Sequence, residues 1–321
     1  MKEKRIIAGI SRPEALASAL FALAIAFVLP ASLLSQQLPQ VSQFASQKYM
    51  MNPAVAGERM EMEARAMNRY QWTGITDAPR TFIFSLQSPL RNPSIGVGGY
   101  LFTDNAGPTR RTGIQLSYAY HLRLNEYTKL SLGLSGGMLQ FAIDGSKIDL
   151  ANQDDPALYG ELSSQLVFDA CFGAYLYGDD YYIGASAPQI LRNQIDLYNS
   201  SDPSLSRLEN HYYFFGGYKW KVNDLFMLEP AFLVKYVSPA PVKTDINLRC
   251  HYRDMLWAGA SWRSNDAWVA MVGYNWNQRL MAGYSFDFST SNIRNHSDGT
   301  HEIQLGFRFG TETRKPDPAG K

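Results

Sequence analysis

From about residue 60 onward the chain alternates apolar and polar side chains for roughly ten residues, breaks at turn residues, and repeats. Met60-Glu61-Met62-Glu63-Ala64-Arg65-Ala66 shows the pattern most plainly, with apolar even positions and charged odd ones. The stretches from Thr112 to Leu122 and from Val242 to Tyr252 follow the same rule. A period of two sends successive side chains to opposite faces of a strand, so each run has one large apolar face and one small or polar face. In water a sheet of this kind turns the apolar face inward. In a bilayer that face meets lipid and the polar face lines a lumen.

About fourteen such runs can be counted, an even number within the range of bacterial membrane barrels. They lie near 60–73, 80–89, 94–103, 110–122, 127–142, 166–177, 181–187, 210–220, 226–238, 241–252, 255–263, 267–275, 279–289 and 300–309. Barrels of this class join strands by short turns at one end and longer loops at the other, so gap length should alternate. The long gaps 143–165, 188–209 and 290–299 all follow odd-numbered runs. The tight turns at Asn125-Glu126, Gly178-Asp179-Asp180, Val222-Asn223-Asp224 and Asn275-Trp276-Asn277 follow even-numbered ones. The expectation is an all-β chain: a transmembrane antiparallel β-barrel of about fourteen strands over 59–309, both termini on the periplasmic side. Residues 36–58 show no strand pattern and are expected to be a periplasmic or plug segment. The last run, His301 to Phe309, ends on an aromatic, and a polar tail over 310–321 follows.

Composition fits this reading. Charged residues make up 18% of the chain, where about a quarter is usual for soluble proteins. Aromatics reach 13%, and beyond the N-terminus no apolar run approaches the ~18 residues a spanning helix needs. A soluble β-sandwich or lipocalin-like barrel is the alternative, and lipocalins use about eight strands. Such a fold must also explain aromatics near strand ends, where membrane barrels carry girdles. The candidates are Tyr70, Trp72, Tyr100, Phe102, Tyr181, Tyr182, Tyr212, Tyr213, Trp220, Tyr284 and Phe288.

The N-terminus reads as a secretory signal peptide over 1–35. Lys2, Lys4, Arg5 and Arg12 precede an apolar run from Ala15 to Leu29, and small residues lead to Ser35, after which cleavage is expected. A retained anchor is the competing reading, but the run is short for crossing a bilayer. Removing 1–35 takes four cations and two carboxylates, so a formal charge of +1 becomes about −1. Near-neutrality argues against a nucleic-acid partner. Cys171 and Cys250 both fall in expected strands with unlike surroundings and are read as free, buried thiols.

Gly133-Leu134-Ser135-Gly136-Gly137 matches the G-x-S-x-G pattern of hydrolases. That motif works on a strand-to-helix turn, whereas here it lies mid-strand with no helix following, so small residues facing a crowded lumen explain it better. His121, His211, His251, His296 and His301 are dispersed, which gives no support for zinc. Asp154-Asp155 lacks calcium-loop spacing. Glu61, Glu63, Arg65 and Arg69 fall on the polar face, where they either line a pore or pair inside a closed barrel. No catalytic site, cofactor or metal is expected.

Several ordered motifs resemble one family. Gln43-Phe44 through Asn52-Pro53-Ala54-Val55-Ala56-Gly57 is similar to the opening of the PorP/SprF family of type IX secretion system membrane proteins, found in Bacteroidetes. Arg69 to Ile75 with Ala78 to Thr81, Asp104 to Thr109, and Tyr118-Ala119-Tyr120-His121 continue the likeness. So do Gly283-Tyr284-Ser285-Phe286-Asp287 and Gly299-Thr300-His301-Glu302-Ile303. Ala45 to Lys48 softens the opening motif, and Phe286 stands where the family carries tyrosine.

The resemblance implies a non-enzymatic outer-membrane component of protein secretion and gliding-associated or virulence-associated export. Its implied partners are periplasmic ring and lipoprotein components or a secreted adhesin, with outer-membrane lipid around the barrel. Asn52, Pro53, Ala56, Gly57, Arg69, Gln71, Trp72, Pro79 and Thr81 are the candidates for a partner or plug role; a fixed turn and girdle packing are the plainer alternative. A channel for small or hydrophobic solutes is the second reading, because a barrel this wide needs a plug or a water-filled lumen. A barrel hydrolase built on Ser135 is a third.

Overall fold

The computed structural model describes residues 38–148, 162–195 and 208–310. The expected leader, the tail from residue 311, Asp154-Asp155 and much of the loops 143–165 and 188–209 lie outside the described residues.

The alternating runs form antiparallel strands. In chain order these are β1 (Met62–Tyr70), β2 (Arg80–Pro89), β3 (Ile95–Ala106), β4 (Thr109–Arg123), β5 (Lys129–Asp144), β6 (Leu162–Tyr177), β7 (Tyr181–Ala187) and β8 (His211–Tyr218). After β9 (Trp220–Lys221) come β10 (Phe226–Val237), β11 (Lys243–Tyr252), β12 (Leu256–Arg263), β13 (Ala267–Trp276), β14 (Leu280–Ser289) and β15 (Thr300–Phe309). Neighbours in sequence pair, with β8 joined to β10 past the short β9, and β1 closes on β15, with Met62 opposite Phe309 and Tyr70 opposite His301. The result is a closed barrel of fourteen strands, with the two-residue β9 as an addition that pairs only with β10. Closure leaves no sheet edge, as a spanning sheet requires where no water can satisfy the backbone.

The alternation sets the two faces as the sequence predicts. On β4, Ile114, Leu116, Tyr118 and Tyr120 point outward and exposed, while Gln115, Ser117, Ala119 and His121 are buried inside. On β15, Ile303, Leu305 and Phe307 point out, and Glu302 and Gln304 point in.

Three expectations need correction. The run expected at 210–220 breaks at Lys219, whose amide turns to the Asp180 carbonyl, and this separates β9 from β8. Tyr100, Phe102, Tyr182 and Tyr213 are not girdle residues: they face inward and pack in the interior clusters around residues 38–58. Both cysteines are free, but only Cys171 is buried; Cys250 is half-buried on the outer face.

All the connections at one end, hereafter the turn end, are short, and the start of β1 and the end of β15 lie there. The long connections lie at the other, the loop end, together with the short β3–β4 and β12–β13 turns. Residues 38–58 lie inside the lumen and run its length. Gln40 donates to Asp266 in the β12–β13 connection at the loop end, while Gly57 lies against Gly96 at the turn end.

Candidate functional site

Ser42 and the following Gln43 are almost wholly buried, so their polar groups need partners from the wall. The Ser42 hydroxyl accepts from Arg69 Nη1 at 2.7 Å and Arg263 Nη2 at 3.0 Å, and donates to the Asp287 carboxylate at 2.8 Å. The backbone amides of Ser42 and Gln43 both donate to Glu302, at 2.7 and 3.0 Å. Around them Arg69 bridges Asp287 at 2.8 Å and Glu302 at 3.2 Å, while Arg263 bridges Asp287 at 3.0 Å and Asp245 at 3.3 Å. β1, β11, β12, β14 and β15 each contribute one charge to this network. Removing one member would strand a buried charge, at a cost of about 3–5 kcal/mol.

The turn-end half of the segment is held differently, by backbone approach. Asn52 caps the short turn Pro53–Val55: its Oδ1 accepts from the Ala54 amide at 2.9 Å. Its Nδ2 donates to the Ala174 carbonyl at 2.9 Å and the Ala185 carbonyl at 3.1 Å, on β6 and β7. The Ala56 carbonyl meets His121 Nε2 at 2.9 Å, and His121 Nδ1 meets the Tyr177 hydroxyl at 2.9 Å. Gly57 has φ +75°, which glycine adopts without strain. Three wall glycines form the seat. A β-carbon at Gly96 would stand 1.8 Å from the Ala56 carbonyl oxygen, one at Gly133 2.2 Å from the Ala54 nitrogen, and one at Gly173 1.9 Å from Asn52 Oδ1.

Between these anchors Tyr49 donates to Ser117 at 3.1 Å, and burial pushes its phenol up to about 12, so the hydroxyl stays protonated. Lys48 Nζ lies 2.8 Å from Glu58 and donates to the Tyr175 hydroxyl at 2.7 Å, which donates to Glu58 at 2.6 Å. Burial drives the Glu58 carboxyl up, but neighbouring Lys48 and Arg59 and the hydrogen bonds outweigh it and hold the acid below its usual range. Arg249 joins Ser46 at 2.6 Å to Glu229 at 2.8 Å. Beside these groups a cavity of about 350 Å³ opens at the turn end, lined also by Glu63, Arg65 and Arg308.

A polar lumen wall, a membrane-facing apolar belt and a built-in lumen segment carrying Asn52 to Gly57 stand together in one molecule. The family described as type IX secretion system membrane protein PorP/SprF matches residues 33–307. The chain belongs to the PorP/SprF family. No curated protein matches it. Among solved structures it is similar to a Pseudomonas aeruginosa FadL homologue, at 12% identity and TM-score 0.45, covering 80% of this chain and 92% of that one. It is also similar to the CymD monoaromatic hydrocarbon channel, at 11% identity and TM-score 0.47, covering 83% and 93%. A third is the translocator domain of the autotransporter NalP from Neisseria meningitidis, at 11% identity and TM-score 0.43, covering 83% and 96%.

In this PorP/SprF barrel the residues singled out by sequence fall into two groups. Asn52, Pro53, Ala56 and Gly57 come together in the glycine seat at the turn end. Arg69 lies in the Ser42 network at the loop end. Gln71, Trp72, Pro79 and Thr81 sit at the loop-end rim: the Gln71 amide bonds the Pro79 carbonyl at 2.9 Å, the Trp72 amide bonds Thr300 Oγ1 at 3.0 Å, and Thr81 donates to Asp104 at 2.6 Å. Ser42, Asp245 and Arg263 were not singled out. Asp287, Glu302 and His121 sit within the family-like stretches quoted above, so the signal for them was on the page without a role attached. Glu63 is paired, with Arg65 at 2.6 Å and Arg308 at 3.0 Å. Ser135 lies mid-strand on β5, facing the lumen, and among the described residues no three His, Cys, Asp or Glu side chains gather to hold a metal.

Proposed function

We propose that this protein is a non-enzymatic scaffold of the type IX secretion system in the outer membrane. It anchors periplasmic ring or lipoprotein components, or a secreted surface protein, at its turn end. The observation that carries this reading is the lumen segment, pinned by buried charge at one end and by backbone contact at the other. A lumen so occupied suits a rigid platform better than an open pore. The reading divides the chain into a leader over 1–35, a lumen segment over 36–58, a lipid-embedded barrel over 59–309 and a periplasmic tail over 310–321. Long loops face outward and short turns face the periplasm. Both ends of the barrel then lie at the periplasmic side, but residue 38 sits in the outer half of the lumen, because the segment runs the whole way through. Deletion of the gene, scored by secretion of type IX cargo, tests the proposal. Loss of at least one cargo is expected; unchanged secretion of every cargo removes it.

A further inference from the structure

The cavity at the turn end has features the anchoring contacts leave unused. Among the described residues six cationic side chains line it, Lys48, Arg59, Arg65, Lys219, Arg249 and Arg308, against four carboxylates. The surplus is two positive charges. The deeper cations are fixed in ion pairs, but those at the rim are loosely held. Arg59 is 50% exposed and 3.9 Å from Glu63. Half-buried Lys219 reaches, among the described residues, only a backbone oxygen, that of Asp179, at 3.2 Å.

The wall also carries unspent hydrogen-bonding groups. Arg249 and Gln304 are 5% and 4% exposed and line the cavity. Among the described residues Arg249 Nε and Gln304 Nε2 have no partner, and neither does Gln87 Oε1 on the same wall. A buried donor or acceptor left unpaired costs about 1–3 kcal/mol, so a ligand that pairs them gains that much back. Two donors and one acceptor, beside a cationic surplus, match a peptide: its carbonyls and carboxylates take the donors, and its N–H groups meet the acceptor. A simple anion would leave Gln87 unanswered.

We propose that this vestibule receives an acidic, extended peptide segment of a secretion partner. Arg59 and Lys219 draw the carboxylates in, and Arg249, Gln304 and Gln87 hold the backbone behind them. The proposal rests on the anchoring reading, which puts the vestibule in the periplasm. Its test uses the purified full-length protein in detergent micelles and fluorescence anisotropy of short labelled peptides, one alternating glutamate with serine, one glutamine with serine, one lysine with serine. The glutamate peptide should bind and weaken with added salt, and the other two should not. Arg59→Gln combined with Lys219→Gln should weaken binding roughly tenfold or more, with Arg110→Gln at the loop end without effect. Circular dichroism checks that each variant keeps its sheet. Equal binding of the glutamate and glutamine peptides overturns the proposal, and so does undiminished binding by the double variant. Free glutamate competing as well as the peptide overturns it too, by reducing the site to one for small anions. Cargo secretion is scored separately in cells, so lost secretion without peptide binding leaves the anchoring reading standing and moves the dock elsewhere.

Discussion

At Gly133 a β-carbon would stand 2.2 Å from the Ala54 nitrogen and 2.5 Å from its Cα, and both belong to backbone that cannot swing aside. Gly136 lies three positions on in the same strand, faces outward, and has nothing within 4 Å of its β-carbon position. Gly133→Ala should therefore push the lumen segment off its seat and cost about 1–3 kcal/mol. Gly136→Ala should stay within about 0.5 kcal/mol of the parent. Denaturant unfolding in detergent measures both, and equal midpoints for the two variants would show that the seat is not tight. The same strand explains the apparent hydrolase motif: its first glycine admits Ala54, and Ser135 follows on the lumen face. On the outer face the decisive residue is Leu116, 66% exposed in the middle of β4. Leu116→Arg places a charge in lipid and should cost about 2–4 kcal/mol, read as reduced insertion into vesicles. A barrel that kept Leu116 in water would accept arginine there freely.

At the scale of elements, the wall and the segment depend on each other unequally. The strands close through their own ladder, β1 on β15, without the segment. Arg69 and Arg263 keep Asp287 as a wall partner if Ser42 is taken away. Deleting residues 38–57 should thus leave a folded barrel and open its lumen. Planar bilayers check this: the parent should conduct poorly and the deletion steadily. Steady, solute-selective conductance by the parent would instead favour the channel reading. The strands were legible because a period of two survives along most of the outer face; β2 and β7 begin and end on the residues the pattern gives. The break at Lys219 was not legible, since it arises from a contact with Asp180 and leaves no mark on the alternation. The inward Tyr100, Phe102, Tyr182 and Tyr213 were misread for a related reason. An aromatic suits a lipid interface and a packed interior alike, and only the segment against them decides which. Asn52 to Gly57 could be read as a tight bend, but the glycines that receive it lie on other strands. Arg69 and Asp287 are 218 residues apart in sequence, so their pairing could not be read from spacing.

For the whole molecule the open question of direction is physical: which end of the barrel meets the periplasm. The asymmetry of the connections favours the turn end, and the cationic vestibule lies there with the start of β1 and the end of β15. Cysteine labelling with a membrane-impermeant maleimide can read it out. Cys171 is buried in the lumen and Cys250 lies on the lipid-facing side, so neither should compete strongly for a water-borne reagent. Asn295→Cys, exposed in the β14–β15 connection, should react in intact cells. Glu126→Cys, exposed in the β4–β5 turn, should react only after the outer membrane is permeabilised. The reverse result would turn the barrel over. It would put the vestibule at the cell surface, where a secreted adhesin rather than a periplasmic ring would be the partner within reach, and it would bring the Ser42 end of the segment to the periplasm.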